Sequence, residues 1–163
     1  GKDLYYEDIN VEISHKFSKH YKAVLTLGYL TYNIDVIEGH ADGKMYGGFG
    51  VLDMTWMIND KHALRWELQY MRTEQDEGDW AMGMMEYSIA PKWFAAVMDV
   101  WNLGNPSADK KIHYYNVAAG FNAGSSRIAL SYGKQREGIL CVGGVCRQVP
   151  AANGITLSLT SSF

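Results

Sequence analysis

The chain has 163 residues, 47% of them hydrophobic and 13% aromatic, with 20% charged and a net charge of −3. Such hydrophobic content excludes disorder, and the acidic balance excludes a nucleic-acid partner, since phosphate binding needs a basic excess. The longest stretch free of Asp, Glu, Lys and Arg is 148–163, only 16 residues and rich in Ser and Thr, so a membrane helix of ~18 apolar residues is excluded too.

Taken in order, the chain alternates apolar and polar residues with a period of two in about nine segments, the mark of half-buried strands. In 8–17, Ile9, Val11, Ile13 and Phe17 alternate with Asp8, Asn10, Glu12, Ser14 and Lys16. Segment 21–29 puts Tyr21, Ala23, Leu25, Leu27 and Tyr29 on one side, and 46–58 follows with weaker alternation. In 64–70, Leu64, Trp66, Leu68 and Tyr70 oppose Arg65, Glu67 and Gln69. A helix over 61–74 competes there, because Leu64, Leu68 and Met71 also fit an i, i+4, i+7 spacing. Its strand-like neighbours favour a strand. Segments 81–89, 93–101 and 114–122 alternate weakly, whereas 127–135 sets Ile128, Leu130 and Tyr132 against Ala129, Ser131 and Gly133. The last segment, 154–163, sets Ile155, Leu157, Leu159 and Phe163 against Thr156, Ser158, Thr160 and Ser162.

The connections are of two kinds and they alternate. Short turns fall at 18–19, 59–61, 90–92 and 123–125, and long or polar loops at 33–43, 73–79, 103–110 and 136–153. Segregating long loops to one end predicts an all-β fold, an antiparallel transmembrane β-barrel. A mean hydropathy of −0.20 agrees with that, because only alternate residues of a barrel strand face lipid. The aromatic residues form a second signal. Phe17, Tyr21, Trp56, Tyr87, Phe94, Phe121 and Phe163 fall beside short turns, and Tyr29, Tyr46, Tyr70, Tyr115 and Tyr132 toward long loops. Two such rows match the girdles of outer-membrane barrels. Eight residues separate Tyr21 from Tyr29, which at ~3.3 Å per residue and a tilt of ~40° is roughly 20 Å of height, near the ~25 Å apolar band.

With no repeat or linker, residues 1–163 read as one domain. Its nine strands are an odd number where bacterial single-chain barrels have an even one. The expectation is therefore the C-terminal part of a larger barrel, lacking upstream strands. The stretch 131–163, SYGKQREGILCVGGVCRQVPAANGITLSLTSSF, resembles the C-terminus of a Bacteroidota family of outer-membrane barrels classified as a domain of unknown function. The shared pattern is Ser-Tyr-Gly, a basic step, Cys–Gly-Gly–Cys with Arg after it, Val-Pro-Ala and the final strand. Ile155, Leu157, Leu159 and Phe163 look like the C-terminal assembly signal of such barrels. The resemblance implies location and fold and transfers no catalytic residue.

Cys141 and Cys146 are the only cysteines. Gly143-Gly144 suits a two-residue hairpin turn, which puts the cysteines opposite each other as a non-hydrogen-bonded pair with Cα atoms ~4.5 Å apart, within disulfide range. An oxidising cell surface favours the bridge, and a metal pair is the rival reading. The five histidines, at 15, 20, 40, 62 and 113, show no metal-type spacing. In the phase facing away from lipid lie Glu12, Asp53, Arg65, Glu67, Glu86, Asp99 and Arg127. They read as an ion-pair network supporting the wall, or as a charged constriction. An apolar sector of Phe49, Val51, Met82, Met84, Trp93, Val97 and Trp101 on that same side argues against a water-filled lumen.

The expected function is non-enzymatic, without metal or cofactor: a channel, or a scaffold subunit of a larger outer-membrane complex. The long loops would lie at the cell surface and the C-terminus in the periplasm. Expected partners are outer-membrane lipid and lipopolysaccharide, the barrel assembly machinery, and other outer-membrane proteins or lipoproteins. The alternatives are a barrel-embedded lipid hydrolase or acyltransferase, a transporter of an apolar ligand, and a soluble ligand-binding barrel.

Overall fold

Alternating segments joined by tight turns have one inexpensive partner, the strand just before, because a short loop costs little closure entropy. The chain pairs in that way. The computed structural model describes residues 5–33, 35, 43–74, 77–142 and 145–161, with the side chains of 138–147 outside the description. Its strands are β1 (Tyr6–Lys16), β2 (Tyr21–Asn33), β3 (Lys44–Met57), β4 (His62–Thr73), β5 (Trp80–Ile89), β6 (Trp93–Trp101), β7 (His113–Ala123), β8 (Ser126–Gln135), β9 (Gly138–Val142), β10 (Val145–Val149) and β11 (Ala152–Ser161). A single 3-10 turn, Ala108–Lys110, interrupts the loop between β6 and β7. Strands β1 to β8 and then β11 form one nine-stranded antiparallel sheet, and β9 and β10 form a separate hairpin. Residues 62–73 are β4, so strand neighbours override the helical spacing there.

Local chemistry closes the short turns. Ser18 Oγ accepts from the backbone N–H groups of His20 and Tyr21, both at 3.1 Å. Asn59 Oδ1 accepts from those of Lys61 and His62 at 2.9 and 3.0 Å. These Ser and Asn side chains satisfy donors that a reversing backbone would leave to water.

Register assigns the faces, since directly opposed residues share one. Val11↔Leu27↔Gly50↔Tyr70↔Ala81↔Trp101↔His113 is one continuous row. His15↔Ala23↔Met54↔Trp66↔Met85↔Val97↔Val117↔Tyr132↔Ile155 is another on that face, crossing all nine strands. The opposite face is concave. Side chains from β1 through β6 on that face surround one cavity together with Arg136, which follows β8. Only a curled sheet brings β1 and Arg136 to one cavity.

The β6 phase differs from the sequence expectation. Trp93, Val97, Asp99 and Trp101 lie on the convex face and Phe94 on the concave one, because Ile89 pairs with Trp93 across the turn. Phe94 is therefore not in an outer aromatic row; it is 5% exposed. Likewise Asp99 does not join the inward charges. Both 93 and 94 are aromatic, so hydrophobicity leaves the phase ambiguous, and the turn decides it.

The core is small for so hydrophobic a chain. Among the described residues, the buried hydrophobics are Met84, Phe94, Ala96, Ala118 and Val149. All but Val149 are concave-face positions of the sheet. Val149, at the end of β10, joins Phe94, Ala96 and Ala118 in one cluster, so the return from the hairpin dips onto the concave face. Phe94 covers Gly120, where a Cβ would stand 2.3 Å from its ring, and Phe49 covers Gly28 in the same manner. Each aromatic fills the space beside the glycine opposite it, which lets the sheet bend. The sheet is open. β1 pairs only with β2, and β11 only with β8.

Candidate functional site

The convex face is almost wholly apolar and open. Val11, Leu27, Leu68, Val117, Leu130 and Leu157 occupy its middle, each at least half exposed. Aromatic residues flank this band. At the short-turn end Tyr21 opposes Trp56, and Trp93 packs on Phe121 with ring centroids 4.6 Å apart. Phe17 leans on Tyr21, and Tyr87 shares a hydrogen bond with His62 at 2.5 Å. At the long-loop end stand Tyr29, Tyr46, Tyr70, Tyr115 and Tyr132, all exposed. Trp101 joins them, stacked on His113 at 4.9 Å. Every expected girdle residue within the described chain is on this face except Phe94, and Trp93 stands where Phe94 was expected. Asp99, at the edge of the band, is held 2.7 Å from His113 Nδ1, and Glu7 stands in the register row of Tyr46 at the long-loop end. Ile155, Leu157 and Leu159 continue the face on the last strand, while Phe163 lies outside the described residues.

The concave face carries the charges. Arg65 Nε donates to Asp53 Oδ2 at 2.7 Å, and its Nη2 pairs with both Asp53 and Glu67. Glu86 faces Arg65 in register. These four residues come from β3, β4 and β5, so pairing alone assembles them. Glu12 lies apart on β1 opposite Thr26. Arg127 stands over the Phe94 ring at 4.1 Å, near the short turns. Six of the seven expected inward charges thus share this face, and Arg65 bridges Asp53 and Glu67.

Toward the long loops the concave face holds a cavity of about 460 Å³. Its walls are Leu30, Phe49, Val51, Met71, Met82 and Val100. At its lip are Asp8, Trp80 and Arg136. The Arg136 guanidinium lies 4.6 Å above the Trp80 ring, and Trp80 stacks on Tyr114 at 6.2 Å. Glu77 is 3.6 Å from Arg136 and accepts from the amide of Asn102, which is 1% exposed. Alternation with Met82 and Met84 could have flagged Trp80. Nothing local could have flagged Arg136, because its contact depends on the curl.

Asp79, in the loop before β5, accepts from Tyr70 Oη at 2.7 Å and from the Thr73 backbone N–H at 2.9 Å. The Tyr70 hydrogen bond leads in holding its carboxyl below the usual carboxylate range, helped by the Thr73 amide and the charge of Arg72. In the β9–β10 hairpin the backbone register sets Cys141 opposite Cys146; their side chains lie outside the described residues.

Fold and faces together define an all-β protein whose curled antiparallel sheet is apolar on its convex side and mixed, charged beside apolar, on its concave side. The chain belongs to the family of unknown function DUF6029, whose model matches residues 1–163. The family match spans the whole chain, beyond the C-terminal stretch that carried the resemblance. No curated protein and no solved structure matches it.

Proposed function

We propose that this sheet is part of the wall of a bacterial outer-membrane β-barrel, of the Bacteroidota type its C-terminal stretch resembles. In this reading the convex face meets lipid and lipopolysaccharide, the long loops lie at the cell surface, and the barrel assembly machinery inserts the chain. The observation that carries the reading is the open apolar band between two aromatic rows. Soluble monomers rarely expose a contiguous apolar patch beyond a few hundred Å², and this one runs across nine strands. The free edges fit as well. β1 and β11 both run from the long-loop end to the short-turn end, so their direct pairing would be parallel. An odd number of further strands would close an even-stranded antiparallel barrel, the form in which lipid tolerates no edge. We read its role as non-enzymatic. The apolar walls of the concave face disfavour a water-filled channel and favour a scaffold subunit of a larger outer-membrane complex.

Tryptophan positions supply the test. Trp56, Trp66, Trp93 and Trp101 are on the convex face and Trp80 alone is on the concave one. In bilayers of phospholipid brominated in mid-chain, a variant retaining only Trp66 should be strongly quenched and one retaining only Trp80 should not. Equal quenching of the two, or none, overturns the reading.

A further inference from the structure

We infer that the cavity at the long-loop end of the concave face binds a single-chain amphiphile with a zwitterionic head. This names a ligand class for the concave face. The cavity rests on the curl of the sheet, and its assay rests on the bilayer reading proposed above. A volume of about 460 Å³ lies in the lower half of the range typical of small-molecule sites, ~300–1,000 Å³, which suits one chain rather than two. The walls are aliphatic and thioether carbon with the Phe49 ring, so burying an alkyl chain there releases water from both surfaces.

The lip decides the head. Arg136 is preset by its stack on Trp80, and among the described residues Glu77, at 3.6 Å, is the only carboxylate within 4 Å of it. A guanidinium so placed keeps donors for a phosphate or carboxylate. Asp8 lines the same opening and accepts from two neutral donors, Tyr6 Oη and the Asn10 amide, each at 3.2 Å. A purely anionic head would meet Asp8 and Glu77, and a purely cationic one would meet Arg136. A head bearing both charges satisfies both sides. The floor orients the chain. Below Gln69, whose amide donates to Glu67, lies the Asp53–Arg65–Glu67 cluster, which disfavours an anionic head entering first.

The probe is a lysophosphocholine brominated in its chain, added to full-length protein in unbrominated bilayers, with Trp80 as the only tryptophan. Quenching of Trp80 should saturate. Arg136→Gln or Asp8→Asn should each raise the half-saturating amount about tenfold, the loss of one charge-assisted contact. Val100→Phe and, separately, Met82→Phe should abolish the saturable phase while the heat-modifiable folded band persists. A brominated alkanol competing as well as the lysolipid would overturn the zwitterionic head. Quenching that is absent, or that rises linearly and is unmoved by Val100→Phe, would overturn the site. Trp66 reports the bilayer and Trp80 the cavity, so the two readings fail separately.

Discussion

Asp79 ties the end of β4 to the loop before β5 through the Tyr70 hydroxyl and the Thr73 amide. Its carboxyl is held below the ordinary value. A depressed carboxylate contributes stability above its unfolded pKa and loses it as pH falls through the folded value. The local tie should therefore be intact at neutral pH and lost below about pH 4. Amide exchange checks this: Thr73 should be protected at pH 7 and lose protection in acid, and Asp79→Asn should remove the pH dependence. Two neighbours, Trp93 and Phe94, make a second contrast. Phe94 is buried over Gly120 beneath Arg127, so Phe94→Ala opens a cavity and should cost about 3 kcal/mol in urea unfolding. Trp93 lies on the open face, and Trp93→Phe should cost under ~1 kcal/mol. A reversed order would show the β6 phase to be wrong. At Arg65 one guanidinium serves Asp53 and Glu67 and faces Glu86. Arg65→Met leaves those carboxylates uncompensated and should destabilise by about 2 kcal/mol, less than a fully buried pair because the site is partly wet.

Among elements, turns and loops divide the sheet into two ends. Lys19 lies in the short turn between β1 and β2, and Asp109 in the long loop between β6 and β7. Cysteines placed there in a background lacking Cys141 and Cys146 should differ on intact cells: Asp109→Cys reacts with an impermeant maleimide and Lys19→Cys does not. The opposite labelling pattern would invert the proposed topology. The β9–β10 hairpin stands outside the main sheet, joined to it by Val149 in the buried cluster and by the Gln135 amide on the Pro150 carbonyl at 3.0 Å. A Cys141–Cys146 bridge across it would close a loop of about six residues, worth about 2 kcal/mol by the chain-entropy estimate. Replacing both by Ser should leave the nine-stranded sheet folded and loosen only the hairpin. Intact mass with thiol alkylation, before and after reduction, reads the bridge directly, and two freely alkylated thiols in protein taken from cells would refute it.

At the scale of the whole molecule, stability depends on what covers the convex face and the two edges. Few hydrophobic residues are buried within the sheet, so the sheet alone has little core. Lipid on the convex face and added strands at β1 and β11 would supply the missing contacts. On the proposed membrane reading, deleting Phe163, which continues the sequence alternation of Ile155, Leu157 and Leu159, should lower the yield of folded, heat-modifiable protein in the outer membrane. Unchanged yield would count against its role as an assembly element.

Period-two alternation marked the nine strands of the main sheet, with the neighbours of 62–73 deciding against a helix there, because a pleated strand sends successive side chains to opposite faces. It also set the alternation of short turns and long loops and the convex aromatic rows apart from β6, and it put Asp53, Arg65 and Glu67 in one inward phase, which strand pairing then joined. Three things waited for tertiary structure. The phase of β6 came from its turn, since adjacent aromatics at 93 and 94 make both phases hydrophobic. The approach of Arg136 to Trp80 and the cavity beneath them came from the curl of the sheet, which joins residues far apart in sequence. The burial of Val149 came from the return of the hairpin onto the concave face, a long-range contact that no local period encodes.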